Sequence, residues 1–269
     1  MDNMDDEKNW FRRLAPADRA GHRLVCFPHA GGAASYFLPV ARALAPEVDV
    51  VGVQYPGRQD RRNEPGIGDI GELADRIHEL MRKWASEPLA LFGHSMGAVI
   101  AFEVARRLRR DSPGRPLHLF ASGRRAPHLQ RGDMVHLRDD AGIAAEVRSL
   151  GGTESLLLED PEVLAMILPA LRSDYRAVET YRFAPDGPPP CPITVLTGDQ
   201  DPHTTVEEAR EWVHHSGDPF DMRVFPGGHF FLSSSATGVL ALLSDHFEAS
   251  GSSLAIGPRS DRPGARYRA

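Results

Sequence analysis

Six short runs of apolar residues recur along the chain, each closed by glycine, proline or a small polar residue. They are Arg23–His29 (RLVCFPH), Val48–Pro56 (VDVVGVQYP), Pro88–Ser95 (PLALFGHS), Pro116–Gly123 (PLHLFASG), Ile193–Asp201 (ITVLTGDQD) and Phe220–Gly228 (FDMRVFPGG). Several are almost continuously apolar rather than alternating. A strand reads that way when both faces of its sheet are covered, as in a parallel sheet. Between the runs, apolar residues recur at helical spacing over Ile70–Trp84, Met96–Arg109, Val206–His215 and Ala236–Phe247. Strand alternating with helix predicts a mostly parallel, doubly wound α/β sheet.

One region breaks the rhythm. From Ala126 to Pro190 no good strand is found, and Leu137–Gly152 and Pro161–Phe183 read as helices. The second carries Val163, Leu164, Ile167, Leu168, Leu171, Tyr175 and Val178, a high apolar content for a surface helix. It predicts an inserted helical subdomain laid over something. The alternative is an ordinary helical excursion packed on the sheet. The expected division is an N-terminal extension (1–19), a core (20–125 and 191–249), the helical insertion (126–190) and a tail (250–269). The tail is rich in Gly, Ser, Pro and Arg and is predicted to be disordered. There is no internal repeat.

With 269 residues, 41% hydrophobic and 25% charged, the chain is long enough for one α/β domain with an insertion. A net charge of −6 gives no general attraction to nucleic acid. No window approaches the roughly 18–20 apolar residues that span a bilayer. The opening MDNMDDEKNW is acidic where a signal peptide is basic and then apolar, so a cytoplasmic protein is expected. The two cysteines, Cys26 and Cys191, lie far apart beside strand-like runs and are expected to be buried free thiols. No H-E-x-x-H, Walker loop or metal loop occurs, so neither metal nor cofactor is predicted.

The chemistry concentrates where strands end. Leu89–Val99 (LALFGHSMGAV) fits G-x-S-x-G between a strand and a helix, the pattern of a nucleophile elbow. Ser95 is the candidate nucleophile, at a helix N-terminus where negative charge is favoured. A serine needs a base and the base an orienting acid, and in this fold class they follow in the order Ser, acid, His. His229, after Gly227 and Gly228, is the candidate base. Asp201 is the candidate acid, while Asp199 tightens the turn. The candidate oxyanion donors are the N–H of Met96 and the N–H of Ala30, the latter in the glycine loop Phe27–Phe37. His94 packs or orients the elbow, and His203, His214 and His215 read as surface residues.

The motifs CFPHAGGAASYF, QYPGRQDRR, LFGHSMGAVIAFEVA, TGDQDPHTT and FPGGHFFL together resemble the type II thioesterases, the stand-alone editing enzymes of polyketide and nonribosomal peptide synthesis. The resemblance runs from about Asn9 to about Leu243. It implies an α/β-hydrolase fold with a helical lid, and makes Ser95 nucleophile, Asp201 acid and His229 base. It also implies a substrate: an acyl thioester on the phosphopantetheine arm of an acyl or peptidyl carrier protein, supplied in trans. YPGR (Tyr55–Arg58) is a family hallmark to which the sequence assigns no role. Ala105–Arg110 (ARRLRR) and Arg124 with Arg125 are candidate docking patches, although a solvated helix face better explains the first. Phe37, Phe230 and Phe231 are candidates to narrow an acyl chamber. A carboxylesterase or acyl-CoA thioesterase would show the same triad. A non-catalytic binding protein on this fold would be expected to have a damaged one.

Overall fold

The computed structural model describes residues 3–84, 87–115, 117–151 and 160–252. Helix α1 (Asn3–Trp10) leads into β1 (Phe11–Arg13) and then β2 (His22–Phe27). Helix α2 (Leu38–Leu44) precedes β3 (Val48–Val53), and α3 (Ile70–Met81) precedes β4 (Leu89–His94). Helix α4 (Met96–Asp111) follows without a loop and is succeeded by β5 (Leu117–Ser122). The segment after β5 carries α5 (Asp140–Ser149) and α6 (Pro161–Thr180) before β6 (Pro192–Gly198). The chain closes with α7 (Val206–Arg210), β7 (Gly217–Phe225), α8 (Phe231–Ser234) and α9 (Ala236–Ser252).

All seven strands join one sheet in the order β1-β3-β2-β4-β5-β6-β7. Every pairing is parallel except β1 against β3. Strand β4, which leads into the candidate nucleophile Ser95, lies at the centre, between β2 and β5.

The continuous apolar runs have a simple origin. Successive side chains of a strand point to opposite faces. On β2, Val25 and Phe27 enter one core with α3 and α4, while Leu24 and Cys26 enter the other with α2 and α9. On β4, Leu89 and Leu91 take the first face, Ala90 and Phe92 the second. Both faces are covered, so neither can be polar. This is the α/β-hydrolase architecture expected from the sequence.

The six predicted strands are present, and a seventh was not foreseen. Residues 11–13 form β1, pairing Phe11 with Val53 and Arg13 with Val51, so the expected N-terminal extension contributes an edge strand. Three residues are too few to show a period. Helix α9 runs to Ser252, past the Phe247 where its apolar period fades; the rest of the predicted tail lies outside the described residues. Both cysteines are buried free thiols, and burial pushes Cys191 up to about 12 and Cys26 in the same direction. No described helix is long and apolar enough to cross a membrane.

Candidate active site

The chain passes from β4 into α4 through the single residue Ser95. Ser95 sits there at φ 55°, ψ −117°, a conformation that a non-glycine residue adopts only under constraint. The constraint is visible on both sides. A Cβ on Gly93 would lie 2.3 Å from the Gly97 carbonyl oxygen, and one on Gly97 would lie 2.0 Å from that of Phe27. Only glycines let strand, turn and helix approach so closely. The Ser95 N–H donates to the Ser122 carbonyl at 2.8 Å, tying the elbow to β5.

Three side chains from three strand ends meet at this turn. Ser95 Oγ lies 3.0 Å from His229 Nε2, and His229 Nδ1 lies 2.8 Å from Asp201 Oδ2. Asp201 follows β6, and His229 follows β7. The Asp201 side chain is fully buried, and its second oxygen accepts the His203 N–H at 2.8 Å. With Nδ1–H donated to the carboxylate, Nε2 is left to accept the Ser95 proton. Asp199 faces elsewhere: its Oδ1 accepts the Gly227 N–H at 2.9 Å and closes the turn that carries His229.

Ala30 and Met96 line the same cavity as Ser95 and His229. Met96 is the first residue of α4, so its N–H has no intrahelical acceptor. In the glycine loop, the Gly31 N–H donates to Asp174 at 2.8 Å, that of Gly32 to the His29 carbonyl at 2.9 Å, and that of Ala34 to Gln54 Oε1 at 2.9 Å. No acceptor among the described residues takes the Ala30 N–H.

The cavity has a volume of about 260 Å³. Val147 and Leu150 from the α5 side and Ile167, Leu171, Tyr175 and Val178 from α6 form its apolar wall. Helix α6 therefore lies over the serine. Phe230 reaches the cavity, whereas Phe37 and Phe231 are packed in the core beneath the sheet.

Several residues stand where sequence reasoning did not put them. His203 lines the cavity, its Nε2 3.3 Å from Glu146 of α5, and burial lowers its pKa. His94, read from the sequence as packing or orienting the elbow, is indeed buried there, with Nδ1 3.0 Å from Ser122 Oγ and its pKa held well down by burial and then by His229 and His29. Arg124 lines the cavity instead of forming a surface patch; Arg125 is buried and donates to the His203 carbonyl at 3.2 Å. Arg106 and Arg107 pair with Glu103, and Arg110 with Asp186, so much of ARRLRR is engaged by neighbouring carboxylates.

YPGR acquires a structural role. Arg58 and Asp174 form a buried ion pair that joins the Tyr55–Arg58 loop to α6. The same Asp174 oxygen holds the Gly31 N–H, and Arg58 also donates to the Pro56 carbonyl at 2.6 Å. Helix, hallmark loop and glycine loop are thus fastened at one carboxylate. Asp174 carries no sequence signal, because its partners lie more than a hundred residues away. Among the described residues, no cluster of His, Cys, Asp or Glu is arranged to hold a metal ion.

Fold and site define a serine hydrolase architecture with a helix-covered cleft. The model of the thioesterase domain matches residues 22–247, and the chain belongs to the thioesterase family. It is 53% identical over 235 residues to the "probable cadicidin biosynthesis thioesterase" of Streptomyces griseus, covering 87% of this chain and 65% of that relative's length. It is 46% identical over 242 residues to the thioesterase PikA5 of Streptomyces venezuelae, covering 90% and 86% of the two chains. Among solved structures it resembles the type II thioesterase BorB from the borrelidin biosynthetic cluster, at TM-score 0.82 and 48% identity over 88% of this chain and 97% of that one.

Proposed function

We propose that this thioesterase releases acyl groups from the phosphopantetheine arm of carrier proteins, acting in trans on a polyketide or nonribosomal peptide synthase and clearing mis-primed or stalled chains. The observation that carries the reading is the hydrogen-bonded line Ser95–His229–Asp201 at the floor of an apolar cavity beneath α6. The relatives' role in cadicidin and borrelidin biosynthesis supports the pathway class.

In this mechanism Ser95 Oγ attacks the thioester carbonyl while His229 Nε2 takes its proton. Asp201 holds the imidazole in the tautomer that can accept it and stabilises the imidazolium. The N–H groups of Met96 and Ala30 receive the negative oxygen, aided by the α4 N-terminus. The intermediate collapses, and His229 returns the proton to the departing thiol. Water then attacks the acyl-Ser95 carbonyl as His229 takes one of its protons, and the bond to Ser95 Oγ breaks as His229 returns that proton to it, releasing the acid. The 126–190 insertion acts as a lid that keeps the acyl chain dry. A cytoplasmic setting beside the synthase fits this role.

The test is a comparison of leaving groups. The same acyl group is offered on a carrier protein, on coenzyme A and as an oxygen ester. The reading predicts the highest kcat/KM on the carrier. Preference for coenzyme A or for the oxygen ester would replace it with an acyl-CoA thioesterase or a carboxylesterase.

A further inference from the structure

Arg124 belongs to the active-site cavity, and nothing in the acyl-transfer chemistry above uses it. It stands two residues beyond the end of β5, the strand beside the nucleophile strand. Gly123 brings it there: at φ 57°, a Cβ at that position would lie 2.7 Å from His94 Cε1 and 3.6 Å from the His229 carbonyl oxygen. The chain passes tightly behind the base, and the next side chain lines the cavity.

Among the described residues no carboxylate pairs with the Arg124 guanidinium, and its Nε is buried without a hydrogen-bond partner. The nearby carboxylates are committed elsewhere. Glu179 accepts the Val135 N–H at 2.8 Å, the His136 N–H at 3.1 Å and His136 Nδ1 at 2.5 Å. Asp133 faces Arg125 at 3.9 Å. No described residue lining the cavity is acidic. The Trp212 indole donates to the Arg124 carbonyl at 2.7 Å, which fixes the backbone and makes no use of the side chain. Burial, with the charge of Arg125, lowers the pKa of Arg124, as expected of a cation without a counter-charge.

Buried polar groups are nearly always satisfied, and a desolvated cation without an acceptor is destabilising. Arg124 is partly buried, with its Nε shut off from water, and it shares the cavity with Val147, Ile167, Leu171 and Val178, walls that bind hydrocarbon. The missing acceptor is therefore expected from the ligand. We propose that Arg124 is a specificity residue that binds an acceptor oxygen on the acyl chain, beyond the thioester carbonyl: a 3-oxo or 3-hydroxy oxygen, or a carboxylate. The inference rests on the thioesterase reading and narrows its substrates to oxygenated acyl groups. The planar fork presents several N–H donors to one or two oxygens, which a lysine cannot reproduce. A plain alkyl chain would leave the cation unsatisfied.

The experiment measures kcat/KM on N-acetylcysteamine thioesters of butyric, 3-oxobutyric, 3-hydroxybutyric and succinic acids, which need no carrier docking. Wild type is compared with Arg124→Met, Arg124→Gln and Arg124→Lys. Labelling of Ser95 by a fluorophosphonate and the melting temperature establish that each variant is folded; if Arg124→Met is not, Arg124→Gln decides. Wild type should prefer at least one oxygenated thioester over butyryl. Loss of the fork should lower that preference by about tenfold or more, in the range for a charge-assisted hydrogen bond. KM should rise for the oxygenated chain and fall for butyryl, with partial recovery in Arg124→Lys. The affected arm distinguishes a carbonyl or hydroxyl from a carboxylate. An unmoved preference, or an equal fall on all four thioesters, would overturn the proposal. If wild type cleaves only oxygen esters, the thioesterase reading fails, while ethyl esters of the same acids still decide the role of Arg124.

Discussion

Ser95 is held in a strained conformation by neighbours that leave no room for added atoms, and this makes the elbow sharply sensitive to substitution. Gly97→Ala should destabilise the fold by about 3 kcal/mol, the upper range for overpacking, because its Cβ would overlap the Phe27 carbonyl. Urea denaturation reads this directly, and an unchanged midpoint would contradict the geometry. Asp201→Asn should lower kcat by up to about 10⁴, by analogy with serine-protease triads, with little change in melting temperature. Asp199→Asn should do the reverse, since its carboxylate braces the Gly227 turn. If the Asp199 variant loses turnover while the Asp201 variant keeps it, the acid has been misassigned. The meeting of Ser95, Asp201 and His229 was legible in the sequence because each sits on a strand-end turn with its own glycines. Arg124 and His203 were not, because linear spacing does not tell which surface a loop crosses.

At the scale of elements, strands and helices were readable wherever both sheet faces are buried, since a run apolar on both faces is a strong signal. The three-residue β1 carries none. That α6 covers another part of the molecule was readable from its apolar face, too wide for a solvent-exposed helix. Its attachment was not, because it depends on a pair of charges distant in sequence. The attachment can be tested. Arg58→Met leaves the Asp174 carboxylate buried without its cation, and should cost about 3–5 kcal/mol. Adding Asp174→Leu should restore part of that loss, since the unpaired charge is then gone. A double variant less stable than Arg58→Met alone would show that the pair does not act as a unit. The Gly31 N–H also depends on Asp174, so Asp174→Leu alone should depress kcat more than it raises KM.

The whole molecule keeps several histidines neutral by burying them, and this couples its stability to pH. Burial, then the neighbouring His246, pushes His118 down to about 3. Burial, then His128 and His214, pushes His215 down to about 4. Each binds its proton more readily unfolded than folded. Their stabilising effect is therefore complete above the unfolded pKa of about 6.5 and is lost as pH falls from there toward 4 and 3. The slope is up to about 1.4 kcal/mol per pH unit for each such group. The urea midpoint should fall between pH 7.5 and 5, and a midpoint independent of pH over that interval would contradict these placements. The central claim is functional: the Ser95–His229–Asp201 line beneath α6 cleaves thioesters on a carrier. Its most direct measurement is the intact mass of an acyl-loaded carrier protein incubated with wild type and with Ser95→Ala. We predict loss of the acyl mass with wild type alone. Persistence of the acyl group with wild type, or its equal loss with Ser95→Ala, would contradict the claim.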